Sequence, residues 1–186
     1  YWNSDGALIA DLSSSYPQSV GLPNYQFRNL RDDSEQGVVV IDSDTVELYR
    51  RKAKSKDVDR KRFSAVDDKG RARLAGQGLS YWILERLHKD EWKEEKKVGF
   101  QLLIPGELED FTFDFLVQSL DEKGLLKGEM KVHSWFIRLF APSLWIDYSK
   151  ELGRIAYYKG ISNIVTPSGD NQKVEIRYQD SPPAVA

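Results

Sequence analysis

The sequence predicts a mostly β protein, in which a single antiparallel sheet curls into a barrel or half-barrel and carries one amphipathic helix. Runs of alternating apolar and polar residues recur along the chain, and clusters of turn-forming residues separate them at short intervals. Only one segment has apolar residues at helical spacing. A two-layer β-sandwich is the alternative architecture that these strands favour.

The chain has 186 residues, of which 40% are hydrophobic and 30% charged, and this composition excludes collagen-like, low-complexity and wholly disordered proteins. Neither an internal repeat nor a linker divides it. We therefore expect a single domain over residues 1–186, with a loop-rich N-terminal approach (1–35), a β-rich body (36–179) and a tail (180–186). No run comes near the ~18 apolar residues of a membrane-spanning helix, so no membrane span is expected.

The first half of the chain predicts a hairpin followed by a third strand. Residues 37–41 form a β-branched run that is typical of a buried strand, and residues 45–50 alternate between apolar and polar. The short connection between these two runs suits a hairpin, and residues 60–66 form the next predicted strand. In the N-terminal approach we expect only one short strand, around residues 25–30.

The predicted helix follows Gly76-Gln77-Gly78, where the β pattern breaks. Leu79, Trp82, Ile83 and Leu87 recur at helical spacing and mark one apolar stripe. We expect an amphipathic helix of about ten to fifteen residues here.

The second half of the chain is again β. Its clearest alternation is the phenylalanine run Phe111, Phe113 and Phe115. A turn is expected at residues 167–170, and the tail cannot join the interior of a sheet because it contains Pro182 and Pro183. Strands are predicted at residues 98–104, 111–118, 126–132, 144–148, 155–158 and 173–178.

Positive charge is concentrated in residues 50–73, which carry a net charge of +7 and leave −9 for the rest of a chain whose total is −2. We interpret Arg50, Arg51, Lys52, Arg60 and Arg62 as candidate anion-binding residues. Three interpretations stay open. The cations protect strand edges from pairing, they bind an anionic surface or ligand, or they bind nucleic acid, which we consider the weakest of the three.

No cofactor or metal site is expected. The chain has no cysteine, which excludes disulfides, thiol nucleophiles and thiolate metal sites. His88 and His133 each lack a second histidine at metal-binding spacing, and Gly76-x-Gly78 lacks the third glycine of a phosphate-binding loop.

A group of four carboxylates follows Pro105-Gly106: Glu107, Glu109, Asp110 and Asp114. Paired carboxylates hydrolyse glycosidic bonds, so these residues support an alternative function as a hydrolase of an envelope polysaccharide. The same residues are also typical of a charged turn between strands. Asp147 we interpret as an outward-facing strand residue.

The 12% aromatic content is high enough to line a cavity as well as fill a core. We predict that Trp82, Phe113, Trp135 and Trp145 line a site for a hydrophobic or amphipathic ligand.

Several segments between residues 76 and 178 resemble exported Gram-negative bacterial proteins of unknown function. They are the Gly-Leu helix start at Gly78-Leu79, the apolar strand ending Ile104-Pro105, and the run 157–164, Tyr-Tyr-Lys-Gly-Ile-Ser-Asn-Ile. The resemblance implies an envelope or periplasmic location and a mostly β, barrel-like domain, but no catalytic residues. The start at Tyr1, without Met, agrees with removal of an export signal or with a truncation.

Together these observations predict an exported, non-catalytic β domain. It binds a hydrophobic or amphipathic ligand or serves as an envelope interaction module, and its partner is a lipid-like or anionic envelope component. The sequence does not define the oligomeric state.

Overall fold

The computed structural model describes residues 1–3, 5–133, 143–165 and 171–178. The protein is mostly β, with 56% of the described residues in strands. Within the described residues there are two separate sheets and a single α-helix, α1 (Gly78–His88), followed by a 3-10 turn at Glu91–Lys93.

The strands are numbered in chain order. They are β1 (Ala10–Ser15), β2 (Asn24–Asn29), β3 (Ser34–Val40), β4 (Thr45–Arg51), β5 (Val58–Ser64), β6 (Arg73–Ala75), β7 (Lys97–Ile104), β8 (Glu109–Leu120), β9 (Leu125–Val132), β10 (Leu144–Ser149), β11 (Arg154–Val165) and β12 (Asn171–Arg177).

The first sheet is an antiparallel meander in the order β1-β2-β3-β4-β5. Each strand joins its neighbour in sequence, as short connections between antiparallel strands require. Its β3–β4 hairpin sets Val40 opposite Val46 and Val38 opposite Leu48. These apolar side chains therefore share one face, and Leu48 lies in a buried cluster with Leu103 of β7.

The second sheet has seven strands in the order β12-β11-β10-β9-β8-β7-β6. Its outermost pair, β6 and β7, is parallel, and the chain between them forms α1 and the 3-10 turn. On β8 the phenylalanine run ends in the fully buried Phe115, whose ring lies 5.1 Å from that of Trp92 and 6.3 Å from that of Tyr148. These aromatic contacts form the core on this face.

Helix α1 confirms the predicted apolar stripe. Leu79, Ile83, Leu84 and Leu87 are all buried. The helix begins where the backbone of Gly78 approaches that of Gly21, since a Cβ on Gly78 would lie only 2.2 Å from the Gly21 carbonyl oxygen. No side chain fits at this position.

The predicted single curled sheet is wrong. The strands divide into two sheets, as the sandwich alternative also requires, and the end strands of each sheet have one neighbour only among the described residues, so neither sheet closes into a barrel. The break falls after β5, because β6 pairs in parallel with β7 and not with β5.

The N-terminal approach also differs from the prediction. The expected short strand is β2, but β1 precedes it although its sequence, Ala-Asp-Leu-Ser-Ser-Ser, has little apolar content. Its six residues pair with residues of β2, and this backbone pairing, rather than a buried apolar face, holds the strand in the sheet. The predicted turn at 167–170 and the whole of the tail lie outside the described residues.

The chain forms two compact units. The first comprises Tyr1–Trp82 and Phe100–Thr112, and the second comprises Ile83–Gly99 and Phe113–Ala186. Each unit contains two separate stretches of chain. The single domain expected for residues 1–186 stays a prediction.

We predict that Gly128→Ala destabilises the protein by about 1–3 kcal/mol because a Cβ on Gly128 would lie 2.0 Å from Phe115 Cζ, inside a packed core. Gly99→Ala is the matched control, since its Cβ would meet nothing closer than 3.5 Å. Urea unfolding of both variants measures the difference, and equal stabilities would contradict the packing described for Phe115.

Candidate functional site

An apolar pocket lies in the first unit, beside Trp82. Its volume is about 460 Å³. We call it the Trp82 pocket and define it by its main apolar lining residues, which are Leu22, Val40, Val46, Ala65, Leu74 and Trp82. This composition suits an apolar ligand, because small-molecule sites are mainly hydrophobic with a few polar groups.

The walls of the Trp82 pocket come from both sheets and from the helix. Val40 and Val46 are register partners in the β3–β4 hairpin, so their side chains project together. Trp82 extends from α1, and its ring lies 5.7 Å from that of the fully buried Phe100. Leu74 of β6 also contributes, and the Gly21 backbone packs against it.

Polar residues at the edge of the Trp82 pocket include Asp42 and Arg73. The charge of the Arg73 guanidinium is paired, since its Nε donates to Asp110 Oδ2 at 2.9 Å, and its Nη1 donates to the carbonyl oxygens of Ser64 and Val66 at 2.9 and 2.6 Å. Asp42 is exposed, and the backbone N–H of Asp44 donates to its carboxylate at 2.8 Å, which lowers the pKa of Asp42 below its ordinary value. The accessible charge at this edge is therefore negative.

The four predicted cavity residues do not meet in one site. Trp82 lines the pocket in the first unit, whereas Phe113 and Trp145 belong to the second unit. Phe113 pairs with Val132 and Trp145 with Glu129, three positions apart on β9, so the two side chains lie on opposite faces of the sheet. Trp135 lies outside the described residues.

The predicted anion-binding residues divide between the two faces of the first sheet. Arg51, Arg60 and Arg62 share the face opposite Val46. Arg50 lies on the Val46 face, where it donates to the Gly106 carbonyl oxygen at 2.7 Å. Lys52 follows the end of β4. Arg51, Arg60 and Arg62 therefore lie on the face of the sheet opposite the Trp82 pocket, whereas Arg50 shares the face of Val46.

Each of the four arginines forms a salt bridge with a carboxylate. Arg60 and Arg62 both bind the buried Glu47, at 2.5 and 3.0 Å, and these hydrogen bonds lower the pKa of Glu47. Arg51 binds Asp33 at 3.0 Å, and Arg50 binds Asp59 at 3.2 Å. The sequence alone could not show this because all four contacts join different strands or loops.

The three lysines of the β4–β5 connection, Lys52, Lys54 and Lys56, are exposed and form no salt bridge with any described residue. Of these only Lys52 was singled out by the sequence. Most of the unbalanced positive charge of this region therefore lies at the tip of the hairpin, and the Arg60–Arg62 pair, which shares the single carboxylate of Glu47, carries the rest.

Three of the four candidate carboxylates form salt bridges, and the fourth, Glu107, is exposed in the turn that precedes β8. Glu109 and Asp110 are consecutive residues of β8, so they point to opposite faces. Lys61 binds Glu109 at 2.5 Å, and Arg73 binds Asp110 at 2.9 Å. Asp114, in the second unit, is buried and contacts Lys97 at 3.0 Å and His133 at 3.1 Å.

Asp147 lies on β10 with Trp145, and its register partners are Lys127 and Tyr157. Partial burial raises the pKa of Asp147, although Lys127 and Arg177 oppose this shift. The sequence interpretation as an outward-facing residue agrees with its place on the same face as the exposed Trp145.

A more open groove of about 690 Å³ lies in the second unit. Four lysines and three carboxylates line it, and Asp90 binds both Lys150, at 2.8 Å, and Lys93, at 3.4 Å. Its charges are largely balanced, so it offers less chemical selectivity than the Trp82 pocket.

Among the residues that the structure describes, no group of three or more histidines and carboxylates is arranged to hold a metal ion. No described helix is long and apolar enough to span a membrane.

Comparison of the chain with protein-family models, with curated proteins and with solved structures found no match. The resemblance to exported Gram-negative proteins therefore stays a prediction. The geometry of the site carries the functional argument.

The Glu47 ion pairs predict a pH dependence of stability. Because folding lowers the pKa of Glu47, its stabilising effect is full well above the ordinary value of 4.5 and is lost as the pH falls through the lowered folded value. We expect Glu47→Gln to be less stable than the wild type at pH 7 and this difference to shrink at pH 3. Urea unfolding at both pH values measures it, and a difference that does not change with pH would contradict the role of the ionised carboxylate.

Proposed function

We propose that the protein is a non-catalytic β protein that binds a small apolar or amphipathic ligand in the Trp82 pocket. The observation that carries this proposal is an apolar-lined pocket of about 460 Å³ with an indole ring in its wall. Pockets of about 300–1,000 Å³ are typical of small-molecule sites.

The chemistry at the edge of the pocket supports a ligand whose polar end is neutral or cationic. The Asp42 carboxylate supplies a negative charge there, and the charge of Arg73 is already paired with Asp110. An anionic head group would meet repulsion from Asp42 without a free cation to offset it. The proposed ligand thus differs from the anionic one that the basic segment suggested.

The other functional interpretations lack a comparable observation. Three of the carboxylates considered for polysaccharide hydrolysis, Glu109, Asp110 and Asp114, bind lysine or arginine side chains, and those of Glu109 and Asp110 point in opposite directions. The envelope location and the role as an envelope interaction module stay predictions.

The first test fills the pocket. Ala72 lines the Trp82 pocket, so the phenyl ring of an Ala72→Phe variant would occupy part of it. We expect this variant to bind the neutral fluorophore 1-aminoanthracene roughly tenfold more weakly than the wild type, because a loss of about 1.4 kcal/mol from apolar burial lowers the affinity tenfold. Fluorescence titration measures the affinity. Ala53→Phe, at an exposed turn, is the matched control and should bind as the wild type does. Unchanged binding by a folded Ala72→Phe variant would overturn the proposal.

The second test concerns the charge of the ligand. We expect the wild type to bind 1-aminoanthracene more tightly than the anionic fluorophore 8-anilinonaphthalene-1-sulfonate, because Asp42 repels the sulfonate. Asp42→Asn should strengthen sulfonate binding by a few fold while leaving the neutral probe unchanged. Asp68→Asn, at an exposed turn outside the pocket, is the control. Equal effects of the two substitutions would show that Asp42 does not determine selectivity.

A further inference from the structure

We infer that the β4–β5 hairpin is a docking site for an acidic, extended segment of a partner protein, which adds to the first sheet beside β5. The inference uses the basic region that the Trp82 pocket leaves unused, and it is independent of ligand binding there.

The outer edge of β5 is open. This strand pairs only with β4, and no other backbone hydrogen bond in the described part of the chain engages residues 58–63. Six of its seven residues are exposed. An unpaired edge presents a row of N–H and C=O groups that an extended segment can complete by main-chain hydrogen bonding.

The side chains of β5 select the charge of such a segment. Arg60 and Arg62 project from one face and Lys61, which binds Glu109, from the other, so acidic residues of an added strand meet unbalanced positive charge on the Arg60–Arg62 face. Arg60 and Arg62 share one carboxylate, Glu47, which leaves one positive charge unbalanced. A second copy of β5 would bring like charges together, which disfavours self-pairing at this edge.

The hairpin tip adds a concentrated positive charge next to the open edge. Lys52, Lys54 and Lys56 lie in the connection that leads into β5, and none forms a salt bridge with a described residue. Lys54 has a φ of 57°, which is the left-handed conformation of a tight turn. The three ammonium groups are therefore available to carboxylates of the incoming segment.

The aromatic residues beside this cluster argue against nucleic acid as the occupant. Single-stranded nucleic acid binds by stacking its bases on exposed aromatic rings. The guanidinium of Arg60 lies 5.8 Å from the centre of the Tyr49 ring, and Lys61 and Arg73 lie 5.1 and 5.4 Å from that of Phe63. The protein's own cations thus occupy both rings.

The test uses the wild-type chain and a fluorescein-labelled seven-residue peptide of alternating glutamate and valine. We expect saturable binding by fluorescence anisotropy at low salt, and at least tenfold weaker binding of the peptide with lysine in place of glutamate. Two further peptides are methylated on alternate backbone amides, one on each edge of the strand. Strand addition requires that one of them keeps its affinity and the other loses it. If both methylated peptides keep their affinity, or if both lose it, the inference is overturned.

A pair of variants locates the site. Replacing Lys52, Lys54 and Lys56 by glutamine should weaken peptide binding roughly tenfold, as the loss of three exposed ion pairs would. The control variant replaces three exposed lysines of the second unit, Lys123, Lys127 and Lys159, by glutamine. It makes the same change in net charge and should leave peptide binding unchanged. Equal effects of the two triple variants would overturn the inference, and so would binding of single-stranded oligothymidine as tight as that of the acidic peptide. Titration of 1-aminoanthracene, expected to be unaffected in both variants, reports on the Trp82 pocket separately.

Discussion

Neighbouring residues of a β-strand point to opposite faces of the sheet, and in β4 this alternation separates the two surfaces on which the functional argument rests. Val46 turns towards the Trp82 pocket, whereas the next residue, Glu47, turns to the other face and binds Arg60 and Arg62. The apolar site and three of the four arginines, Arg51, Arg60 and Arg62, therefore belong to different sides of the same five-stranded sheet. One ligand cannot use both, and each side must be assigned its own chemistry.

Periodicity was sufficient to predict the elements that bury a continuous apolar stripe. Helix α1 and the long strand β8 follow the predicted spacing, and the β3–β4 hairpin follows its alternation and its short connection. Strands β1 and β6 could not be predicted in this way. The first is largely polar and is held by backbone pairing with β2, and the second has only three residues. The division into two sheets also depends on pairing between distant segments, which local patterns do not report.

The candidate site likewise depends on contacts between distant segments, which local sequence patterns do not report. The apolar stripe of the helix pointed to Trp82, but most of the other pocket residues come from β3, β4, β6 and the segment before β2 and converge only in the fold. In the basic segment, counting charges overestimated the available positive charge. Asp33, Glu47 and Glu109 come from outside that segment and pair with cations within it, so the lysines at the hairpin tip and one charge of the Arg60–Arg62 pair are left.

The contact between Gly21 and Gly78 has a consequence for the type of binding that the first unit supports. Main chain meets main chain there, and Gly21 also packs beside Leu74 and Trp82 in the wall of the pocket. The spacing between that wall and the start of the helix is thus fixed by the backbone and cannot be widened by a change of side-chain rotamer. Recognition in such a preformed cleft discriminates by molecular size, and little ordering entropy is lost on complex formation.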